Sequence, residues 1–146
     1  MNNGATAEGS NIQKGGLQSV AGIATNSDVA GVQNVSGTVI NTNINGGGQA
    51  IYGSGTAINT TLSNGGQQYL LGTATDTTVN NGSHQQVQTG GIARNTTVNG
   101  GWQQVLSGGS SEDAVINRGG LQSVNAEGSA RNTTLNAGHH KRWQGI

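Results

Sequence analysis

The phrase Ala93-Arg94-Asn95-Thr96-Thr97-Val98-Asn99-Gly100-Gly101-Trp102-Gln103-Gln104-Val105 constrains this chain more than any other feature. As a template it reads A-x-N-T-x-V-N, a glycine turn, then Q-x-V. The template returns from one end of the sequence to the other. Its T-x-V apolar residue recurs as Ile12, Val29, Ile44, Leu62, Val79, Val98, Ile116 and Leu135, in steps of 15 to 19 residues. The apolar residue of Q-x-V recurs as Val20, Val35, Ile51, Leu70, Val87, Val105, Val124 and Trp143. Self-similarity at such a period marks stacked repeat architectures. Residues 1–146 are therefore expected to form one repeat domain, with an altered, capping last coil at about 136–146.

Within each repeat the signal is strand. Thr-Thr-Val and Gln-Gln-Val alternate and are rich in β-branched residues, and Gly-Gly or Asn-Gly turns separate them. Segments this short do not make an ordinary sandwich. As coils of a solenoid they do, because each strand pairs with its copy one turn along, about 4.8 Å away. The expected fold is all-β: a single-stranded parallel β-helix, or β-solenoid, of about eight coils of 15–19 residues.

Composition agrees with a thin, repetitive core. The chain has 27 Gly, no Pro, no Phe and no Cys, and its six basic and six acidic residues balance. Disordered chains with so much polar residue are usually charged and proline-rich, and this one is neither. A balanced charge argues against a nucleic-acid surface, which needs clustered Lys and Arg. No apolar run approaches the ~20 residues of a helical membrane span. No basic segment followed by an apolar stretch marks a secretory signal. Absence of Cys excludes disulfides and Cys-based metal sites.

Alternation assigns residues to faces. If Leu62 points inward, so does Thr60, while Thr61 points out. An inner column then reads Ala24, Val39, Ala57, Ala74, Ala93. A glutamine column runs Gln18, Gln33, Gln49, Gln68, Gln85, Gln103 and Gln122, with Lys141 in the last place. Either these amides stack inside and satisfy one another, or they lie half-wet at a corner. A second polar column holds Asn26, Asn41, Asn59, Asp76, Asn95, Asp113 and Asn132. Asn and Asp tolerate left-handed geometry, so this column is expected to be a turn. A third holds Asn45, Asn80, Asn99, Asn117 and Asn136. These ladders read as structural.

No catalytic, cofactor-binding or metal-ligating set emerges, and no cofactor is expected. Thr75, Arg94, Glu112 and Arg131 share a column, which reads as a surface ion ladder of small energetic weight. Asp76 and Asp113 lie two coils apart, about 9–10 Å at the strand spacing, with Asn95 between them. That separation suits an inverting carboxylate pair, but neither residue carries an acid's environment in the sequence. The glycine doublets follow strands and open no phosphate loop. Asn59, Asn95 and Asn132 match glycosylation sequons only by falling on a repeated column. His139-His140-Lys141-Arg142-Trp143 reads as a coil altered to blunt an open edge, with a small metal or anion site, or a truncation point, as alternatives. The outward row of Thr61, Thr78, Thr97 and Thr134 is similar to ice-binding faces, but Asp28, Asn43 and Val115 interrupt it.

The phrases Leu62-Ser63-Asn64-Gly65-Gly66-Gln67-Gln68-Tyr69-Leu70 and Ile116-Asn117-Arg118-Gly119-Gly120-Leu121-Gln122-Ser123-Val124 resemble the repeat of the AIDA-like self-associating autotransporter adhesins. Eight copies in phase carry the resemblance along the whole chain. It implies a right-handed β-helix, exported through a C-terminal barrel and displayed, outer-membrane-anchored, on a Gram-negative cell surface. It implies autoaggregation, biofilm formation and host-cell adherence, with further passenger copies and the host-cell surface as partners. It also implies a protein heptosyltransferase acting on passenger serines. No signal peptide or translocator barrel is present, so the resemblance implies a passenger fragment. The candidate acceptors are Ser19 and Ser123, in the outward place between Gln and Val, then Ser107 and Ser110 at a turn. The expected function is a non-enzymatic adhesin segment, binding its copies side by side. The alternatives are a structural stalk and a carbohydrate-active β-helix enzyme relying on Glu112 or Asp113.

Overall fold

A computed structural model describes residues 4–142, and among these the regular structure is entirely β. Each of eight coils contributes three short strands. We call them the Ala, Val and Gln strands after the residue each typically points inward. In coil 1 they are Thr6–Glu8, Asn11–Ile12 and Leu17–Val20. In coil 8 they are Ser129–Arg131, Thr134–Asn136 and His139–Arg142. In coils 3 and 4 the first two fuse into Thr38–Asn45 and Thr56–Ser63. All pairing between named strands is parallel and runs from coil to coil: Val79 sits beside Val98, and Val98 beside Ile116. The Ala and Val strands form a fourteen-stranded sheet and the Gln strands an eight-stranded one. This is the β-solenoid that the repeat predicts.

The three corners follow from residue chemistry. Between the Ala and Val strands the chain turns at Asn26, Asn41, Asn59, Asp76, Asn95, Asp113 and Asn132, all at φ between 54° and 61°. These short polar side chains enter the left-handed region at small cost. The corner N–H then points to the following coil: Asn95 donates to the Glu112 carbonyl and Asp113 to that of Arg131, at 3.0 and 2.9 Å. The other two corners are built on glycine, and at Gly72 no other residue fits. A Cβ there would lie 2.2 Å from the Tyr52 carbonyl oxygen and 2.4 Å from that of Gly55.

The interior has two apolar seams. One joins the Ala column to Val20, Val35, Ile51, Leu70, Val87, Val105 and Val124; the other holds Val29, Ile44, Leu62, Val79, Val98 and Ile116. Also buried is a polar spine, the glutamine column, and its position inside is now settled. Gln33, Gln49, Gln68, Gln85, Gln103 and Gln122 are fully buried, and each Nε2 donates to the Oε1 of the preceding coil's glutamine at 2.8 Å. A lone buried amide would cost ~1–3 kcal/mol for each unmet group. The column meets that need from within itself. Thr96, Ser111 and Thr133 hydroxyls add donors to it from the neighbouring inward positions.

Coil 8 corrects one expectation. His140, not Lys141, lies beside Gln122, and Arg142 takes the core position beside Val124; Lys141 lies in the outward place beside Ser123. The turn Asn136-Ala137-Gly138 is one residue shorter than Asn117-Arg118-Gly119-Gly120, which shifts the strand by one. Trp143, expected in that core column, lies outside the described residues.

Candidate functional site

A solenoid offers no single cleft, so the surfaces that can act are its faces and corners. The outer face of the Gln strands bears no acidic or basic side chain other than His84 in coils 1 to 7. It exposes Leu17 (63%), Val32 (45%) and Tyr69 (38%). In its middle the rings of His84 and Trp102 stack 4.3 Å apart and 4° from parallel, as one-coil spacing dictates. Burial lowers the His84 pKa below its ordinary value, opposed by a hydrogen bond with Gln104. This imidazole is therefore neutral near pH 7, and the face stays uncharged.

The charges sit elsewhere. Arg94 and Glu112 pair at 3.9 Å on the outer face of the Ala strands, with Arg131 next in register. Both are partly exposed, so the contact carries ~0–1 kcal/mol. On the Val-strand face, Asp28 and Asn43 lie in a polar depression of about 550 Å³, with Asn11, Asn45, Ser63 and Asn64 around it. It arises because the turn at Ala30-Gly31 is shorter than its neighbours. The threonine row stands in register as expected, interrupted by Asp28, Asn43 and Val115.

The carboxylates considered as acids lie where the repeat columns place them. Asp76 and Asp113 are left-handed corner residues, two coils apart. Glu112 faces Arg94. Among the described residues no three His, Cys, Asp or Glu side chains gather as a metal site.

The expected serines divide. Ser19 is exposed on the Gln-strand face, and Ser107 is exposed at the corner between the Gln and Ala strands. Ser110 is half-buried beside Ile92 and Ser129. Ser123 is outward, as its register demands, but only 3% exposed: the Trp102 indole donates to its Oγ at 3.0 Å. Accessibility expected from alternation alone is thus lost to a neighbour one coil away. Three exposed serines were missed: Ser129, on the outer face of the Ala strands, and two at a corner. Ser36 and Ser54 lie at the same corner as Ser107 and donate to the carbonyls of Val20 and Ser36. The signal was a Ser-Gly pair shortly after Q-x-V, present at Ser36-Gly37, Ser54-Gly55 and Ser107-Gly108.

No protein-family model matches the sequence, and no curated protein sequence matches it. A solved structure does. It is the TibC-catalysed, hyper-glycosylated TibA55-350 fragment, similar over 95% of this chain and 82% of that one, with a TM-score of 0.56 and 25% sequence identity. The TibA fragment is thus a glycosylated protein of similar fold, and the likeness spans nearly all the coils described above.

Proposed function

We propose that this chain is a segment of a surface-displayed adhesin passenger, modified with sugar on serine and associating with copies of itself. The observation that carries the reading is the likeness to the hyper-glycosylated TibA fragment over 95% of the chain. The eight in-phase repeats, with their resemblance to AIDA-like adhesins, support it independently. The site is the Gly corner and the adjoining Gln-strand face. Ser107 and Ser19 are the acceptors among the expected serines, with Ser36 and Ser54 alongside them, because all four residues are exposed. Ser110 ranks lower and Ser123 last, being covered by Trp102. The modifying partner is a protein heptosyltransferase of the kind the resemblance implies. The setting is the surface of a Gram-negative cell, where such a segment serves autoaggregation, biofilm formation and attachment to host cells. The uncharged Gln-strand face supplies the lateral contact: each contact is weak, but a rod repeats it along its length.

Two measurements test this. After co-expression with TibC, the intact mass should rise by whole hexose- or heptose-sized steps, and Ser107→Ala should remove part of the gain. Cells displaying the chain should clump. An unmodified mass together with a dispersed culture of confirmed display would overturn the proposal.

A further inference from the structure

Two depressions adjoin on the Val-strand face of coils 2 to 4, and they share Asp28 and Asn43. One, of about 550 Å³, also takes in Asn45, Ser63 and Asn64. The other, of about 450 Å³, reaches the left-handed corner at Asn26, Asn41 and Asn59. Both fall in the size range of small-molecule sites, ~300–1,000 Å³. We propose that together they form a binding trough for a neutral saccharide, held through its hydroxyl groups. The trough lies apart from the serine corner and the Gln-strand face, and it does not depend on the adhesin reading.

Its shape comes from the uneven lengths of the glycine corners. The step from Val29 to Gln33 is two residues shorter than that from Ile12 to Gln18 or from Leu62 to Gln68. Coil 2 is therefore recessed at Ala30, between the longer turns of coils 1 and 4. The recess gives the polar groups walls, so a ligand is met from the side as well as from below.

Register supplies the donors and acceptors. Asn11, Asp28, Asn43 and Thr61 follow one another along the outward column, one per coil. Asn43 donates through Nδ2 to the Asp28 Oδ1 at 3.1 Å. In the corner column Asn59 donates to Asn41 at 2.7 Å, and Asn41 to Asn26 at 3.3 Å. Each bond uses one of two amide hydrogens and one of two lone pairs. These residues are exposed, so their remaining capacity is open to a ligand. The corner ladder also stops at both ends. In coil 1 its place is taken by Gly9, which has no side chain, and in coil 5 by Asp76, whose carboxylate cannot donate.

This set suits vicinal hydroxyls, which both donate and accept. A carboxylate accepts from two of them at once, and an amide donates to one and accepts from the next. Other ligands fit less well. No basic side chain lines the trough, and the Asp28 carboxylate repels anions, so phosphate and sulfate groups are disfavoured. No aromatic side chain lines it, so a flat ring finds no plate to stack on. Val29 and Ile44 in its floor are fully buried and give an apolar ligand no surface. Asp28 is the one carboxylate in the lining, against the several that calcium sites collect.

The test is titration of the unglycosylated, nitrogen-15-labelled 146-residue chain with neutral oligosaccharides of mannose, galactose, glucose and N-acetylglucosamine. Heteronuclear NMR follows the side-chain amides. At least one saccharide should shift those of Asn26, Asn41, Asn43 and Asn59, with a Kd on the order of 0.1–1 mM. The amide of Asn99, in coil 6, should stay unmoved. Asp28→Asn places in coil 2 the amide that already stands at Asn43, and should weaken binding about tenfold. Two glycines inserted between Ala30 and Gly31 match the corner to that of coil 1, fill the recess and should abolish binding. Melting curves matching the parent show that both variants are folded, and Asp28→Asn decides if the insertion unfolds the chain. Sugar on a second copy has the same chemistry as a free glycan. Chain modified by TibC, added in place of the oligosaccharide, separates these sources, and shifts from either support the trough. No shift from any of them at about 10 mM would overturn the proposal. So would equal shifts at Asn99, undiminished binding in either folded variant, or preference for a sulfated saccharide over its neutral form. An unmodified mass after co-expression with TibC counts against the adhesin reading alone, so the two readings fail separately.

Discussion

Gln85 shows what one buried amide does in this fold. Its Nε2 donates to Gln68, and its Oε1 accepts from both Gln103 and Thr96. Replacing it with leucine keeps the volume and adds apolar surface, yet leaves an acceptor on Gln68 and donors on Gln103 and Thr96 without partners. At ~1–3 kcal/mol for each unmet buried group, the loss outweighs the gain from the extra apolar surface. Gln85→Leu is expected to destabilise the rod by about 3 kcal/mol or more in urea unfolding. Gln18→Leu, at the end of the column, removes a single Gln–Gln bond and should cost about 1 kcal/mol. Equal losses would mean that the amides are not coupled along the axis. The sequence showed the glutamine period but left its environment open between a wet corner and a dry interior. A glutamine in isolation is unfavourable inside, and only its copies in register reverse that balance. Ser123 was misjudged for a related reason. Alternation along a strand gives the face but not what the neighbouring coil lays over it, and Trp102 lies 21 positions away.

At the scale of elements, the left-handed corner was the most legible feature. Asn and Asp recur at one phase of the repeat, and all seven nominated positions have positive φ. The demand is conformational, so it can be separated from side-chain chemistry. Asn95→Gly should change stability by no more than about 0.5 kcal/mol, because glycine enters this region freely and already does so at Gly9. Asn95→Ala should cost about 1–2 kcal/mol, the penalty for a Cβ in left-handed geometry. Thermal or urea unfolding of the pair decides, and a glycine variant no better than the alanine variant would contradict the argument. The Gly corners were less legible, since a turn of one residue more or less leaves the same letters in view. The last coil shows this: its shorter turn places His140 where Lys141 was expected.

The whole molecule is a sum of coils and the contacts between neighbours. All variation in repeat length falls in the two Gly corners. The step from the Ala column to the Val column is the same at Ala24–Val29, Ala57–Leu62 and Ala130–Leu135. Between the Val and Gln columns it ranges from Val29–Gln33 to Ile116–Gln122. About four extra glycine or serine residues between Gly53 and Ser54 should therefore lower stability by less than about 1 kcal/mol, a loop-closure term. One residue inserted between Asn95 and Thr96 would turn inward side chains outward for that coil and should abolish cooperative unfolding near it. Hydrogen exchange resolved along the chain would separate the cases.

That invariant step also bears on how such a rod can grow. A duplication that starts at one asparagine elbow and ends at the next carries a whole period, whatever the span of the glycine hairpins within it. Each added turn lands with its seams aligned, so copying error lengthens the ribbon without spoiling its weave.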